Sequence, residues 1–312
     1  MCRHLGYLGP PVPVGEILTR GDYSLRTQAW APKDMRRGGT INADGFGVAW
    51  WVREAGASRY RNPAPIWTDP AVDEVLPQLW STAVLGAVRS ATVGMPVERS
   101  ACAPFIDARW AFSHNGVIPE WRTVLPAVAA QFGAPDLLAA ESVTDSAALW
   151  VIVRAALARC EGTAGARDRA AGTATDFAGP AGRDPLPNDA EGIPSDVERP
   201  AAHTGDVTPS EVAAVLAEVV DAILVRVPAA RLNLLLGDGE TLWATTVYHS
   251  LSVLVTDEFA VVSSEPYDDD PRWRPIADGQ VLTVRPGHLV VTPLASNHPG
   301  SAGPDVSERA RS

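Results

Sequence analysis

Strand-like segments lie at both ends of this 312-residue chain, and two helical segments separate them. Short apolar runs bounded by turn residues predict strands at residues 45–52, 83–88 and 110–113, and again at 232–236, 241–247, 251–255, 259–262, 281–284 and 289–291. Apolar residues at helical spacing predict one helix over residues 145–160 and a second that begins at Thr208 or Ser210. The fold class is therefore α+β, and we expect two sheets packed face to face with the helix pair covering one side.

The composition changes sharply once along the chain. Residues 161–208 consist mainly of Ala, Gly, Asp, Pro and Arg, with almost no large apolar side chains, which is typical of a flexible insertion. We therefore expect one domain over residues 2–294, interrupted by this insertion and followed by a loose tail over residues 295–312. Two further helices, over residues 71–80 and 121–132, are expected to cover other faces of the sheets.

Charge and cysteine content exclude several classes of protein. A formal net charge of −11 argues against nucleic acid or an anionic membrane as the main partner. The 3 cysteines include no closely spaced pair, so neither a disulfide framework nor a zinc site is expected, and no cofactor is predicted. No apolar run is long enough to cross a membrane and no signal peptide is visible, which predicts a cytoplasmic location.

Cys2 directly follows the initiator methionine. If Met1 is removed, Cys2 carries a thiol and a free α-amine on the same residue. A thiolate attacks carbonyl carbons, and an unperturbed α-amine titrates near pH ~7.7–8.0, so the amine could serve as the base that activates the thiol. A cysteine at this position can also occur by chance, and the rest of the sequence has to decide between the two interpretations.

Two motifs precede or follow predicted strands in the first part of the chain. Residues 42–47, Asn-Ala-Asp-Gly-Phe-Gly, form a turn into a strand and would alone be read as turn chemistry. Arg89 ends the strand predicted at residues 83–88, where its planar guanidinium suits a carboxylate in a cleft. A surface arginine at a strand end is an equally good interpretation.

Two more motifs lie further along the chain. Asn115 and Gly116 end the strand that begins at residue 110, and an Asn side-chain amide next to a Gly N–H can form an oxyanion hole, although Asn-Gly is also a common turn. His114 precedes them and is more often a structural hydrogen-bonding residue in this position than a base. Asp145 begins the first helix and could bind an ammonium group or stabilise the helix start.

The order of these motifs resembles the class II glutamine amidotransferase domain, a member of the N-terminal nucleophile hydrolases. The resemblance covers most of the chain outside residues 161–208 and implies a four-layer αββα sandwich. It also implies roles for six residues. Cys2 would be the nucleophile, Arg89 would bind the substrate α-carboxylate with Thr92 nearby, Asn115 and Gly116 would form the oxyanion hole, and Asp145 would bind the α-ammonium group.

The chain also departs from that family pattern. Residues 89–94 read Arg-Ser-Ala-Thr-Val-Gly, whereas the family commonly has Arg-Trp-Ala-Thr-His-Gly. No ammonia-accepting domain follows, so we expect a hydrolase that transfers the γ-glutamyl group to water. Residues 1–9, 42–47 and 264–273 resemble the amidohydrolases of ergothioneine biosynthesis, which implies γ-glutamyl-hercynylcysteine S-oxide as substrate and Trp30, Tyr248 or Trp273 as candidate contacts of its trimethylammonium group.

Three alternatives stay open at this point. The chain could hydrolyse glutamine or another γ-glutamyl amide, the group Cys2-Arg3-His4 could bind copper or nickel, or the fold could serve as a catalytically silent binding protein. Cys102 and Cys160 are interpreted as structural or incidental, and the oligomeric state is left open.

Overall fold

The computed structural model describes residues 2–34, 41–52, 55–134, 136–172 and 207–295, which form two antiparallel sheets and six α-helices. One sheet has the strand order β11-β9-β10-β1-β4-β2-β3, with β1 (Arg3–Pro13), β2 (Phe46–Val52), β3 (Gly56–Asn62), β4 (Trp80–Val88), β9 (Ser252–Val255), β10 (Ala260–Ser263) and β11 (Arg274–Pro275). The other has the order β13-β12-β8-β7-β6-β5, with β5 (Phe105–Asp107), β6 (Trp110–Val117), β7 (Arg231–Gly237), β8 (Leu242–Thr246), β12 (Gln280–Arg285) and β13 (His288–Pro293). The helices are α1 (Val14–Thr19), α2 (Leu25–Gln28), α3 (Ala71–Glu74), α4 (Trp121–Phe132), α5 (Asp145–Gly172) and α6 (Pro209–Leu224).

Three apolar cores separate four layers. The middle core lies between the two sheets and includes Leu85 from β4 and Leu235 from β7. The outer face of the seven-stranded sheet packs against α1, α2 and α3, and the outer face of the six-stranded sheet packs against α4, α5 and α6. The architecture is therefore the αββα sandwich, because each sheet buries one face against its partner and the other against helices.

The alternation of side chains along β6 assigns its residues to these layers. Trp110 and Phe112 belong to the helix-side core, whereas Ala111 belongs to the core between the sheets. Because successive strand residues point to opposite faces, Ser113 and Asn115 also point between the sheets. This alternation places the side chain of Asn115, which is predicted to belong to the oxyanion hole, on the inner face of the sheet.

The start of β1 lies between the ends of two neighbouring strands. Arg3 pairs with Val88 at the end of β4, and Leu5 pairs with Ser263 at the end of β10. Since both pairings are antiparallel, residues that follow β4 and β10 flank Cys2 on its two sides. Residues from distant parts of the chain therefore meet at this end of the three strands.

The predicted strands and the helix at Trp121–Phe132 are confirmed, and two other predicted helices have different bounds. Residues 71–80 form only the short helix α3 and a 3-10 turn at Leu76–Gln78, since Pro77 lacks the N–H that a continuing helix needs and β4 begins at Trp80. Helix α5 runs to Gly172, beyond the predicted end at residue 160, so the first part of the segment interpreted as flexible is helical. Ala and Arg, which are good helix formers, are frequent there.

The remaining boundaries of the predicted insertion and tail are only partly observed. Thr208 caps α6 through a reciprocal capping box with Glu211, as one of the two predicted starts required. Residues 173–206 and 296–312 lie outside the described residues, so the predicted insertion and tail remain predictions there. Within the described ranges, no helix is both long and apolar enough to cross a membrane.

Candidate active site

Cys2 directly precedes β1, at the end of the sheet where β4 and β10 also end, and the residue is partly exposed. Its Sγ is 3.7 Å from the carbonyl oxygen of Ser90, the residue after Arg89. Cys2 and Arg89 line one small pocket together with Ser113, His114 and Ser146. The antiparallel pairing of β1 with β4 therefore brings two of the predicted residues, separated by most of a hundred positions in sequence, into one pocket.

The motif at residues 42–47 holds the loop that carries Arg89. The Asp44 carboxylate accepts a hydrogen bond from Ala91 N at 2.7 Å, and the Arg89 N–H donates to Gly45 O at 2.8 Å. Arg89 Nη1 donates to Pro96 O at 2.9 Å, which fixes the side chain, while its Nε and Nη2 bond to nothing in the described part of the chain. The motif thus acts as a scaffold, and the free edge of the guanidinium remains available for a carboxylate.

Asn115 is 1% exposed, and neither its side-chain Nδ2 nor its Oδ1 has a hydrogen-bond partner among the described residues. It lies two residues after Ser113, whose Oγ is 3.3 Å from Nδ1 of His4 in the opposite sheet. A Cβ at Gly116 would lie 1.8 Å from Arg231 O, so a side chain is excluded there. The inner face of β6 therefore presents an amide with unused donors beside the nucleophile strand.

Of the six predicted residues, Cys2 and Arg89 line this pocket, whereas Asn115, Gly116, Thr92 and Asp145 do not. Thr92 is exposed, and its carbonyl oxygen accepts from Met95 N at 2.9 Å. Asp145 is buried, and its two carboxylate oxygens accept from Ile118 N at 3.0 Å and Ser146 N at 2.8 Å. Ser146 connects Asp145 to the pocket, since Ser146 Oγ lies 3.0 Å from Nδ1 of His114.

Arg3 and Glu265 form a buried ion pair that the sequence analysis did not assign. Arg3 Nη2 is 2.8 Å from Glu265 Oε1, and the two side chains are 1% and 4% exposed. The Glu265 carboxylate also accepts from the backbone N–H groups of Lys33 and Asp34, and Arg3 Nη1 donates to Cys2 O at 3.3 Å. This network fixes the backbone of Cys2. Two features of the sequence could have indicated it: Glu265 belongs to the motif at residues 264–273, and Arg3 directly follows Cys2.

Two buried histidines near the site are neutral at physiological pH. Desolvation, with smaller contributions from His114 and Arg3, lowers the pKa of His4 to about 3. Desolvation and the nearby Arg231 lower the pKa of His249 to about 3 as well. Both imidazoles can therefore donate or accept hydrogen bonds, but neither is a cation under these conditions.

The remaining cysteines differ from Cys2 in exposure or position. Burial raises the pKa of Cys102 to about 11, so its thiol stays protonated, while Cys160 lies on α5. Among the residues that the structure describes, no three His, Cys, Asp or Glu side chains are grouped so that they could hold a metal ion. Of the three cysteines, Cys2 is the one that lines the pocket with Arg89.

The sequence matches a known protein family and is similar along most of its length to named proteins. The family model described as class-II glutamine amidotransferases matches residues 22–136. A protein of Mycolicibacterium smegmatis named gamma-glutamyl-hercynylcysteine sulfoxide hydrolase is 37% identical over 294 residues, covering 94% of this chain and 100% of its own length. Its namesake in Mycobacterium tuberculosis is 37% identical over 294 residues, with 94% and 97% coverage.

A solved structure is similar in fold. The glutamine aminotransferase class-II domain protein of Silicibacter pomeroyi matches with a TM-score of 0.53 and 20% sequence identity, covering 95% of this chain and 100% of that one. This similarity is consistent with the two facing sheets and their outer helices.

Proposed function

Because this chain belongs to the class II glutamine amidotransferase family, we propose that it hydrolyses the γ-glutamyl amide bond of γ-glutamyl-hercynylcysteine sulfoxide in ergothioneine biosynthesis. The observation that carries the chemistry is the single pocket shared by the Cys2 thiol and Arg89. The two mycobacterial relatives, similar along nearly their whole length, supply the identity of the substrate. A cytoplasmic location is part of the same proposal, and cell fractionation would test it.

The proposed reaction begins once Met1 has been removed. The α-amine of Cys2 takes the thiol proton, and the thiolate attacks the γ-carbonyl carbon to give a tetrahedral intermediate. The Asn115 amide and the Gly116 N–H stabilise the negative oxygen. When the intermediate collapses, the C–N bond breaks, the protonated amine gives its proton to the leaving nitrogen, and a γ-glutamyl thioester remains on Sγ. Water then hydrolyses the thioester and releases glutamate.

The glutamyl head offers one carboxylate and one ammonium group to the site. The unbonded edge of Arg89 suits the carboxylate, because a guanidinium can bind it through two parallel hydrogen bonds. Asp145 is proposed to hold the ammonium group. Its carboxylate accepts three hydrogen bonds, from Ile118 N and from N and Oγ of Ser146, and a carboxylate offers about four acceptor positions, so some acceptor capacity remains. Thr92 belongs to the same loop as Arg89 and is proposed to lie near the bound carboxylate.

Replacement of the nucleophile tests the proposal directly. Cys2→Ala should abolish glutamate release from the purified protein while the thermal unfolding midpoint stays near that of the wild type, since Cys2 is partly exposed. Cys160→Ala is the matched control and should retain activity. Wild-type turnover in the Cys2→Ala variant would refute the proposed nucleophile.

Two further measurements separate the remaining alternatives. Intact mass spectrometry should show loss of Met1, whereas retention of Met1 would block the amine base. Comparison of glutamine with the hercynyl conjugate decides whether the enzyme is specific for the conjugate or hydrolyses γ-glutamyl amides in general. A clear preference for glutamine would favour the general hydrolase.

A further inference from the structure

A cleft of about 450 Å³ opens on the β10 side of β1. Ser264 and Glu265 follow β10 and line this cleft, and both contact the segment after Cys2. Ser264 N donates to His4 O at 3.0 Å, and Glu265 forms the ion pair with Arg3. The cleft therefore borders the nucleophile strand on one flank, whereas Arg89 follows β4 on the other flank.

This arrangement matches the geometry of an amide substrate. Neighbouring strands lie about 4.8 Å apart, so the ends of β4 and β10 are separated by roughly 10 Å with the start of β1 between them. The acyl group and the leaving amine of an amide extend in opposite directions from the carbonyl carbon. With the glutamyl head held on the Arg89 side, the leaving group extends towards the cleft.

The charge of the cleft favours a cation. Its wall carries five carboxylates and one basic side chain, Lys33, which is already engaged. Lys33 Nζ lies 3.0 Å from the centre of the Tyr23 ring and 3.7 Å from Asp269, and Arg272 pairs with Asp270 at 2.6 Å. Asp268 forms no direct ion pair with a described basic side chain, and the electrostatic attraction to Arg272, which pairs with Asp270, compensates its charge only in part.

The cleft also has an apolar wall that contains an indole. Leu251, Ile276 and Pro275 line it together with Trp273, which is half-buried. Trp273 Nε1 donates to Asp268 at 2.7 Å, and Tyr267 packs at right angles against the ring with centroids 5.1 Å apart. These contacts fix an aromatic ring beside a carboxylate that forms no direct ion pair with a described basic side chain, and an aromatic face next to a negative charge is suited to bind a quaternary ammonium group through cation–π attraction.

We propose that this cleft binds the leaving-group half of the substrate, with Trp273 contacting its trimethylammonium group and Asp268 supplying the complementary charge. The inference rests on the proposed function and identifies where the enzyme distinguishes a hercynyl conjugate from other γ-glutamyl amides. Ammonia, the leaving group from glutamine, would occupy none of this volume.

Two substrates with the same γ-glutamylcysteine sulfoxide core test the proposal. One is γ-glutamyl-hercynylcysteine sulfoxide, and the other is γ-glutamyl-S-methylcysteine sulfoxide, which lacks the hercynyl cation. Trp273→Leu should lower kcat/KM for the hercynyl substrate about tenfold, equivalent to about 1.4 kcal/mol, and change the S-methyl substrate less than twofold. Trp80→Leu is the control, because Trp80 is 64% exposed at the opposite end of β4 from Arg89, and it should change neither value.

A second variant separates charge from shape. Asp268→Asn keeps an oxygen that can accept from the Trp273 indole and removes the negative charge, so it should lower kcat/KM for the hercynyl substrate several-fold and leave the S-methyl substrate unchanged. Asp73→Asn, which alters a carboxylate that is 65% exposed and remote from the cleft, serves as its control.

The outcomes distinguish failure of the inference from failure of the proposed function. If the wild type hydrolyses neither substrate, the proposed function is wrong. If it hydrolyses both equally well, or if Trp273→Leu lowers both values by the same factor, the cleft does not bind the leaving group although the hydrolase function stands. Selective loss of the hercynyl substrate in both cleft variants supports the inference.

Discussion

Asn115 and Asn233 lie directly opposite each other on β6 and β7, yet their surroundings differ completely. Both are buried, with exposures of 1% and 0%. The Asn233 amide donates to His249 O at 2.9 Å, and its oxygen accepts from Val247 N at 3.1 Å and His249 N at 3.0 Å. The Asn115 amide bonds to nothing in the described part of the chain.

The difference separates a structural residue, Asn233, from a residue that we propose binds the substrate, Asn115. Buried polar groups are nearly always hydrogen-bonded, and an exception requires an explanation. Asn233 supports the loop at residues 247–249, in which Tyr248 has a φ of 88° that few non-glycine residues adopt. Asn115 supports no backbone, so its unused donors are best explained by an oxygen that arrives with the substrate.

The largest expected effect is on catalysis, from Asn115→Ala. Losing one oxyanion-hole donor typically lowers kcat by about 10²–10³, or about 2.7–4 kcal/mol. The urea midpoint should stay close to that of the wild type, because the substitution breaks no hydrogen bond in the free protein. If Asn115→Ala were destabilised but had a normal kcat, Asn115 would have a structural role, as Asn233 does.

Asn233→Ala should show the converse behaviour. It leaves one carbonyl oxygen and two N–H groups without their partner, and we expect the free energy of unfolding to fall by about 2–4 kcal/mol. The kcat of the folded fraction should change less than that of Asn115→Ala. Urea denaturation and turnover should be measured on the same preparations of Asn115→Ala and Asn233→Ala. Equal effects of the two substitutions on stability and on kcat would contradict the proposed difference between the two residues.

The smallest effect extends the comparison to the imidazole that Asn233 helps to place. The pKa of His249 is lowered in the folded state, so the unfolded chain binds the proton first, and stability is full above about pH 6.5 and falls as the pH drops towards 3. His249→Gln should flatten this decline by up to about 1.4 kcal/mol per pH unit. Denaturation midpoints between pH 5 and 7 provide the measurement.

An exposed histidine provides the matched control for this pH dependence. His288→Gln should leave the slope of stability against pH unchanged, because His288 is solvent-exposed. Equal slopes in the wild type and in His249→Gln would show that His249 does not remain neutral in the folded protein.

Most of the elements followed from periodicity, and the exceptions have local causes. The β6 and β7 segments alternate or run apolar over lengths that only strands have, and Trp121–Phe132 repeats at helical spacing. The end of α5 was misjudged because residues 161–172 carry no large apolar side chains, whereas their Ala and Arg residues still favour a helix. Composition therefore indicated an insertion, and only the structure shows where its helix ends.

The site was predicted unevenly. Motif order identified Cys2 and Arg89, which share a pocket, and Asn115, which lies on the inner face of β6. It gave no indication that the motif at residues 42–47 supports the Arg89 loop, or that Asp145 accepts from the distant Ile118 N–H, although a role at the helix start was one of the two interpretations of Asp145. Hydrogen bonds between side chain and backbone depend on loop conformation, which a single sequence does not reveal.

The sequence by itself determined the fold class, because periodicity is a local property, and the order of its motifs led to the proposed nucleophile and the proposed substrate head group. Only the tertiary structure decided that Arg3 and Glu265, 262 positions apart, form a buried pair behind Cys2. It alone also decided that the Asn115 amide has no hydrogen-bond partner among the described residues, while the Asn233 side chain has three hydrogen bonds. Both outcomes depend on the register of antiparallel strands and on which face each side chain occupies, and these are fixed only when the two sheets pack together.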